Sequence, residues 1–168
     1  MYGYTQNVTK SNGKVYSYHR RGVLSEHPFL KQGKNCVIIP QEAFSSLKNF
    51  FLTGANPTHK WVVKGDWKAV YYLNDKDLDD QSVATAVEEL IDRTFVLTTS
   101  KEHQKIESEL KNLIELQKSS QSIDEAYKKI VLEHAYRITS NPWAKQSVSK
   151  SSRLAQFFEN YNALKVKQ

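Results

Sequence analysis

Val8-Thr9-Lys10-Ser11-Asn12-Gly13-Lys14-Val15-Tyr16-Ser17-Tyr18 decides how the chain begins to fold. Valine, threonine and tyrosine suit a pleated, half-buried strand. Between two such runs sits Asn12-Gly13. A two-residue type I′ turn favours that pair, because both central residues take positive φ. The stretch therefore predicts a β-hairpin over residues 8–18.

Further along, residues 19–34 are irregular, punctuated by Gly22, Pro28 and Gly33. Cys36-Val37-Ile38-Ile39 reads as a short apolar strand, with Cys36 as a buried hydrophobe. Pro40 then opens a helix, since the first turn tolerates a missing N–H. Ala43, Phe44, Leu47, Phe50 and Phe51 recur at helical spacing, and Gly54 ends the run. Lys60 to Leu73 reads as a second hairpin: Trp61-Val62-Val63 and Trp67 to Tyr72 flank Lys64-Gly65-Asp66.

After an acidic connection over 74–80 the pattern becomes helical. Val83, Val87, Leu90 and Ile91 share one face, with Asp79 or Asp80 as cap. Thr94 to Thr99 allows one more strand. Ile106, Leu110, Leu113 and Ile114 make an amphipathic stripe. Ser122-Ile123-Asp124-Glu125 fits a capping box that starts a helix bearing Tyr127, Ile130, Val131, His134 and Ile138. Asn141-Pro142 breaks it. Residues 144–152 are rich in Ser and Lys and read as a flexible link, and a last helix carries Leu154, Phe157, Phe158, Tyr161 and Leu164.

The expected class is α+β: antiparallel hairpins and one early helix, then a helical C-terminal half. The expected organisation is one domain over 1–140, β-rich to 75 and helical from 76. A Ser/Lys-rich link and a partly detached amphipathic helix follow over 141–168.

At 168 residues the chain is long enough to bury a core. A single cysteine excludes a disulfide framework and a cysteine-based zinc site. No apolar run reaches the roughly 18 residues of a membrane span. The start lacks a signal-peptide apolar stretch, so a cytoplasmic protein without membrane contact is expected.

Charge is the most informative feature. Residues 1–74 carry ten basic and three acidic side chains, a net of +7. Residues 75–134 carry eight and fourteen, a net of −6, and residues 135–168 carry six and one, a net of +5. One reading has two basic ends building a positive surface. The other has acidic helices neutralising basic neighbours within the fold.

Two stretches interleave cations with rings. Lys14, Tyr16, Tyr18, Arg20 and Arg21 form the first; Lys60, Trp61, Lys64, Trp67 and Lys68 form the second. Guanidinium forks pair with phosphates and aromatic rings stack on bases. Buried sheet aromatics with edge-protecting lysines give the same pattern. Lys145, Lys150 and Arg153 head a third basic cluster, where Ser147, Ser149, Ser151 and Ser152 offer hydroxyls to phosphate. A lysine–serine linker has this composition too.

Enzyme signatures are weak. The five histidines lack paired metal spacing, and no phosphate-binding glycine loop or nucleophile elbow occurs. No metal, cofactor or catalytic residue is assigned. A nuclease using Tyr18, His19, Arg20 and Arg21 is disfavoured, because successive strand residues point to opposite faces. Arg21 and His27 have the Arg-x₄₋₆-His spacing of one helical ribonuclease family, but Gly22 and Pro28 argue against a helix there.

The expectation is a small, basic, non-enzymatic nucleic-acid-binding protein, of DNA or RNA. The alternative is an accessory factor or inhibitor, of phage or mobile-element type, that blocks a nucleic-acid-processing enzyme. Its protein contacts, or self-association, would run through residues 104–138 and 152–165. A small nuclease ranks third.

Overall fold

In a computed structural model, which describes residues 1–34, 36–54, 77–98 and 102–165, the chain forms two compact units. The division falls between Asp77 and Leu78. The architecture is α+β, with N-terminal antiparallel strands followed by helices. The expected second hairpin, with Lys60, Trp61, Lys64, Trp67 and Lys68, lies outside the described residues.

The first unit opens with β1 (Tyr4–Thr9) and β2 (Val15–Arg20), paired antiparallel in a register running from Tyr4↔Arg20 to Thr9↔Val15. The hairpin forms about the predicted turn, but its strands reach beyond the expected 8–18, back to Tyr4 and on to Arg20 in the stretch expected to be irregular, and the turn differs. The Lys10 N–H donates to the Lys14 carbonyl, and the Gly13 N–H donates back to the Lys10 carbonyl. Three residues thus form the loop. Only Gly13 takes positive φ, at 75°, whereas Asn12 does not. This is a type I turn completed by a glycine bulge, the usual solution for three-residue hairpins. Asn12 instead accepts the Lys14 N–H on its Oδ1 at 3.1 Å.

The open end of the hairpin runs into the core of this unit. Leu24, Phe29, Ala43 and Leu47 are buried there, with Met1, Tyr2, Val23, Val37 and Ile39 packed around them. The Leu24 N–H donates to the Met1 carbonyl at 3.1 Å. A Cβ at Gly22 would collide with the backbone of Met1 and Gly3, so this crossing requires glycine. Two short strands, β3 (Leu30–Lys31) and β4 (Val37–Ile38), pair antiparallel. Cys36, expected buried, is exposed, because the paired strand begins one residue later. Helix α1 (Gln41–Thr53) buries Ala43 and Leu47 and ends on Gly54 in the left-handed conformation, as expected. Phe51, at the edge of its stripe, stays exposed.

The second unit packs α2 (Asp80–Asp92), β5 (Phe95–Leu97), β6 (His103–Lys105), α3 (Ile106–Lys118), α4 (Glu125–Thr139), α5 (Pro142–Ser147) and α6 (Ser152–Lys165) around one core. Val87, Leu90 and Ile91 enter it from α2, and Leu110 and Leu113 from α3. Val131 and Ile138 enter from α4, and Phe157 and Leu164 from α6. The strand expected near 94–99 exists and pairs with β6, which sequence reading missed: its His-Gln-Lys composition carries no strand signal.

Three expectations for this unit need correction. The Ser/Lys-rich stretch is not a flexible link. Asn141 precedes α5, Pro142 occupies its first turn, and a short 3₁₀ turn over Val148–Lys150 follows. Trp143 and Ala144 are buried in the core. Nor is the last helix detached: Leu154, Phe157, Tyr161 and Leu164 are buried on one stripe. Finally, α4 is capped by Asp124 and not Ser122. Asp124 Oδ1 accepts the N–H groups of Ala126 and Tyr127 at 3.0 and 3.2 Å.

Candidate functional site

Strand pairing sorts the hairpin into two faces. On one face the register stacks Val8 beside Tyr16, Gln6 beside Tyr18 and Tyr4 beside Arg20. Lys10 and Lys14 close the turn end of that face. The opposite face carries Thr5, Asn7, Thr9, Val15, Ser17 and His19. There the Ser17 hydroxyl donates to Asn7 Oδ1 at 2.7 Å.

The first face is built like a contact surface. Tyr4, Tyr16 and Tyr18 remain 51%, 38% and 40% exposed, so each ring keeps a large area open to a partner. The Lys10 ammonium sits 4.7 Å from the Tyr16 ring centroid, and the Arg20 guanidinium sits 5.6 Å from that of Tyr18. Arg20 Nε also donates to Gln6 Oε1 at 3.3 Å. No acidic side chain occurs from residue 1 to residue 25. Nothing anionic within the hairpin therefore competes for these cations.

Arg21 leaves this face. Its Nη1 donates to Glu26 Oε1 at 2.9 Å, beside a cleft of about 170 Å³ lined by Arg21, Gly22, Val23, Glu26, His27 and Ser46. Burial pushes the His27 imidazole below its usual pKa, against the opposing pull of Glu26 and Glu42. The cleft is smaller than the roughly 300 Å³ at which pockets for drug-sized ligands begin.

The C-terminal cluster has a different fate. Arg153 forks onto Asp92 at 3.1 Å and Glu107 at 2.6 Å, and Lys150 pairs with Asp80 at 3.1 Å. Ser147 and Ser151 are buried. Ser151 accepts the Leu154 N–H and donates to Glu88 at 2.8 Å, which caps α6 and ties it to α2. Lys145 is exposed, and among the described residues no such pair is formed by it. The division at Asp77 explains the contrast. Residues 1–77 carry eleven basic and five acidic side chains, a net of +6. Residues 78–168 carry thirteen of each and are neutral. The acidic middle therefore neutralises the basic C-terminus within one unit.

Of the predicted residues, the structure brings together Lys14, Tyr16, Tyr18 and Arg20. Arg21, Lys150 and Arg153 are held in ion pairs elsewhere. Sequence reading missed Tyr4, Gln6 and Lys10, although the Tyr4-x-Gln6-x-Val8 alternation placed them on the same face. In the 152–165 stretch expected to offer protein contacts, Phe157 and Tyr161 are buried and Phe158 is partly buried. Among the described residues, no three His, Cys, Asp or Glu side chains are grouped to hold a metal ion. No helix among them is long and apolar enough to cross a membrane. Comparison with protein-family models, with curated proteins and with solved structures finds no match.

Proposed function

We propose that this chain is a non-enzymatic nucleic-acid-binding protein whose contact surface is the tyrosine–cation face of the β1–β2 hairpin. The observation that carries the proposal is three exposed tyrosines and the cations Lys10, Lys14 and Arg20 on one face of a hairpin, in a stretch, residues 1–25, whose sequence holds no acid. The energetics support an exchange. An exposed cation–π contact is worth about 0.5–1 kcal/mol. A base stacked on an aromatic ring is worth about 1–3 kcal/mol. A base can displace Lys10 from Tyr16, or Arg20 from Tyr18, and release that cation to a phosphate. A two-stranded hairpin is marginal by itself, so a bound polyanion would also order it. An exposed thiol and a phosphate-seeking surface suit the cytoplasm, where thiols stay reduced.

A salt series tests this reading. Anisotropy of a labelled oligonucleotide, read from about 50 to 200 mM salt, should show log affinity falling linearly with log salt. Lys14→Ala should reduce the slope by about one phosphate's share. Absence of binding at the low-salt end would end the proposal.

A second reading has one observation in its favour. Among the described residues the β1–β2 sheet has two strands, and no third strand among those residues pairs with the outer edge of either. A protein could add a strand there and set acidic groups against the same cations, as an accessory factor or inhibitor of a nucleic-acid enzyme would. Competition separates the two: an acidic protein partner would form a complex that survives nuclease treatment.

A further inference from the structure

We infer that the hairpin face is built for an extended single strand and not for a duplex; this rests on the nucleic-acid reading above and narrows its substrate class. Tyr16 and Tyr18 lie two residues apart on β2, and Tyr4 sits across from Arg20 on the next same-face rung. Successive same-face positions on a strand are about 6.8 Å apart. The rings therefore recur at about twice the 3.4 Å by which one strand of duplex DNA advances per nucleotide. A strand pulled out so that its bases are unstacked matches that repeat. A duplex does not, and it keeps the faces of its bases occupied by their neighbours.

The cations frame the rings in the same sense. Lys10 and Lys14 lie at the turn end, beyond Tyr16, and Arg20 lies beside Tyr4 at the open end. Lys10 and Arg20 already stand over the rings of Tyr16 and Tyr18. A backbone tracking along the hairpin therefore meets positive charge at both ends of a three-ring row. This framing of rings by cations separates the face from a plain phosphate-binding patch. A patch acting by charge alone would prefer the duplex, which carries more phosphates per unit length.

The experiment compares the full chain binding a labelled mixed-sequence oligonucleotide of about 12 nucleotides, single-stranded or annealed to its complement, at about 50 mM salt. The expected result is affinity for the single strand at least about tenfold above that for the duplex. Replacing both Tyr16 and Tyr18 by leucine should weaken single-strand binding by at least about fivefold for each ring and leave duplex binding unchanged. The paired Tyr16→Phe, Tyr18→Phe variant keeps the ring faces and should retain binding. That separates lost stacking from a misfolded hairpin. Equal affinity for the two forms, or leucine variants that bind both as well as before, would overturn the single-strand inference and leave the phosphate-binding reading intact. Failure of both forms to bind would overturn both readings.

Discussion

Arg153 on α6 meets Glu107 on α3 at 2.6 Å, while its Nη1 and Nη2 each meet an oxygen of Asp92 on α2 at 3.1 Å. One guanidinium thus joins three helices. The Asp92 carboxyl is held well below the usual carboxylate range, first by the hydrogen bonds from Arg153 and then by that from Lys105. Glu107 is also lowered, chiefly by Arg153, with Lys111 adding to it against the cost of burial.

Both carboxyls are more acidic folded than unfolded. Their stabilisation is therefore complete above an unfolded pKa of about 4, and it is lost as pH falls through the depressed folded values. Arg153→Met should lower stability at neutral pH by roughly 1–2 kcal/mol, a figure held down because the Asp92 side chain is nearly half exposed. It should also flatten the loss of stability between about pH 5 and pH 2. Urea unfolding of both proteins across that range checks this. Parallel acid limbs would mean that the ion pairs contribute no net stability.

The start of α4 gives a paired prediction. Asp124→Ala removes the acceptor of two backbone N–H groups and should cost about 1 kcal/mol. Ser122→Ala, two residues earlier and exposed, should stay within about 0.5 kcal/mol of the parent. Thermal melts of the two variants decide whether aspartate or serine caps this helix.

Gly13 offers a test of the turn. A Cβ there meets no atom within 4 Å, so substitution acts through backbone conformation alone. Gly13→Val should destabilise the hairpin by roughly 1–2 kcal/mol, and Gly13→Asn by less, because asparagine tolerates positive φ. Hydrogen exchange at the Lys10 amide, which closes the loop, should quicken in that order. The core of the second unit should keep its protection.

Cys36 should react with a thiol reagent in the native state, without denaturant, because its side chain is exposed. A titration that yields no modified protein until the chain is unfolded would contradict this exposure.

Much of the fold was legible in one dimension. The Asn12-Gly13 pair placed the first hairpin, Gly54 ended α1, and Asp79 capped α2 through the Ser82 N–H at 2.9 Å. Each of these signals acts over a few residues, which is why local chemistry reveals it. The turn type escaped because Asn12-Gly13 suits both a two-residue and a three-residue loop, and only strand register chooses between them. Strand β6 escaped because its pairing with β5, and not the propensity of His103-Gln104-Lys105, makes it a strand.

The candidate site divides along the same line. Alternation along a strand put Tyr16 and Tyr18 on one face from sequence alone, whereas Arg20 joins them because β2 runs on past the expected strand end. Which cations remain available was settled only in three dimensions. Arg153 lies 61 residues from Asp92 in the chain and 46 from Glu107, yet packing brings all three into contact. Residues 1–25 carry cations with no acid among them, whereas α6 folds back on acidic helices. A charge pair depends on distance in space and is largely screened beyond about 10 Å at 0.1 M salt, so a count of charges along the sequence reports the cations but not their partners.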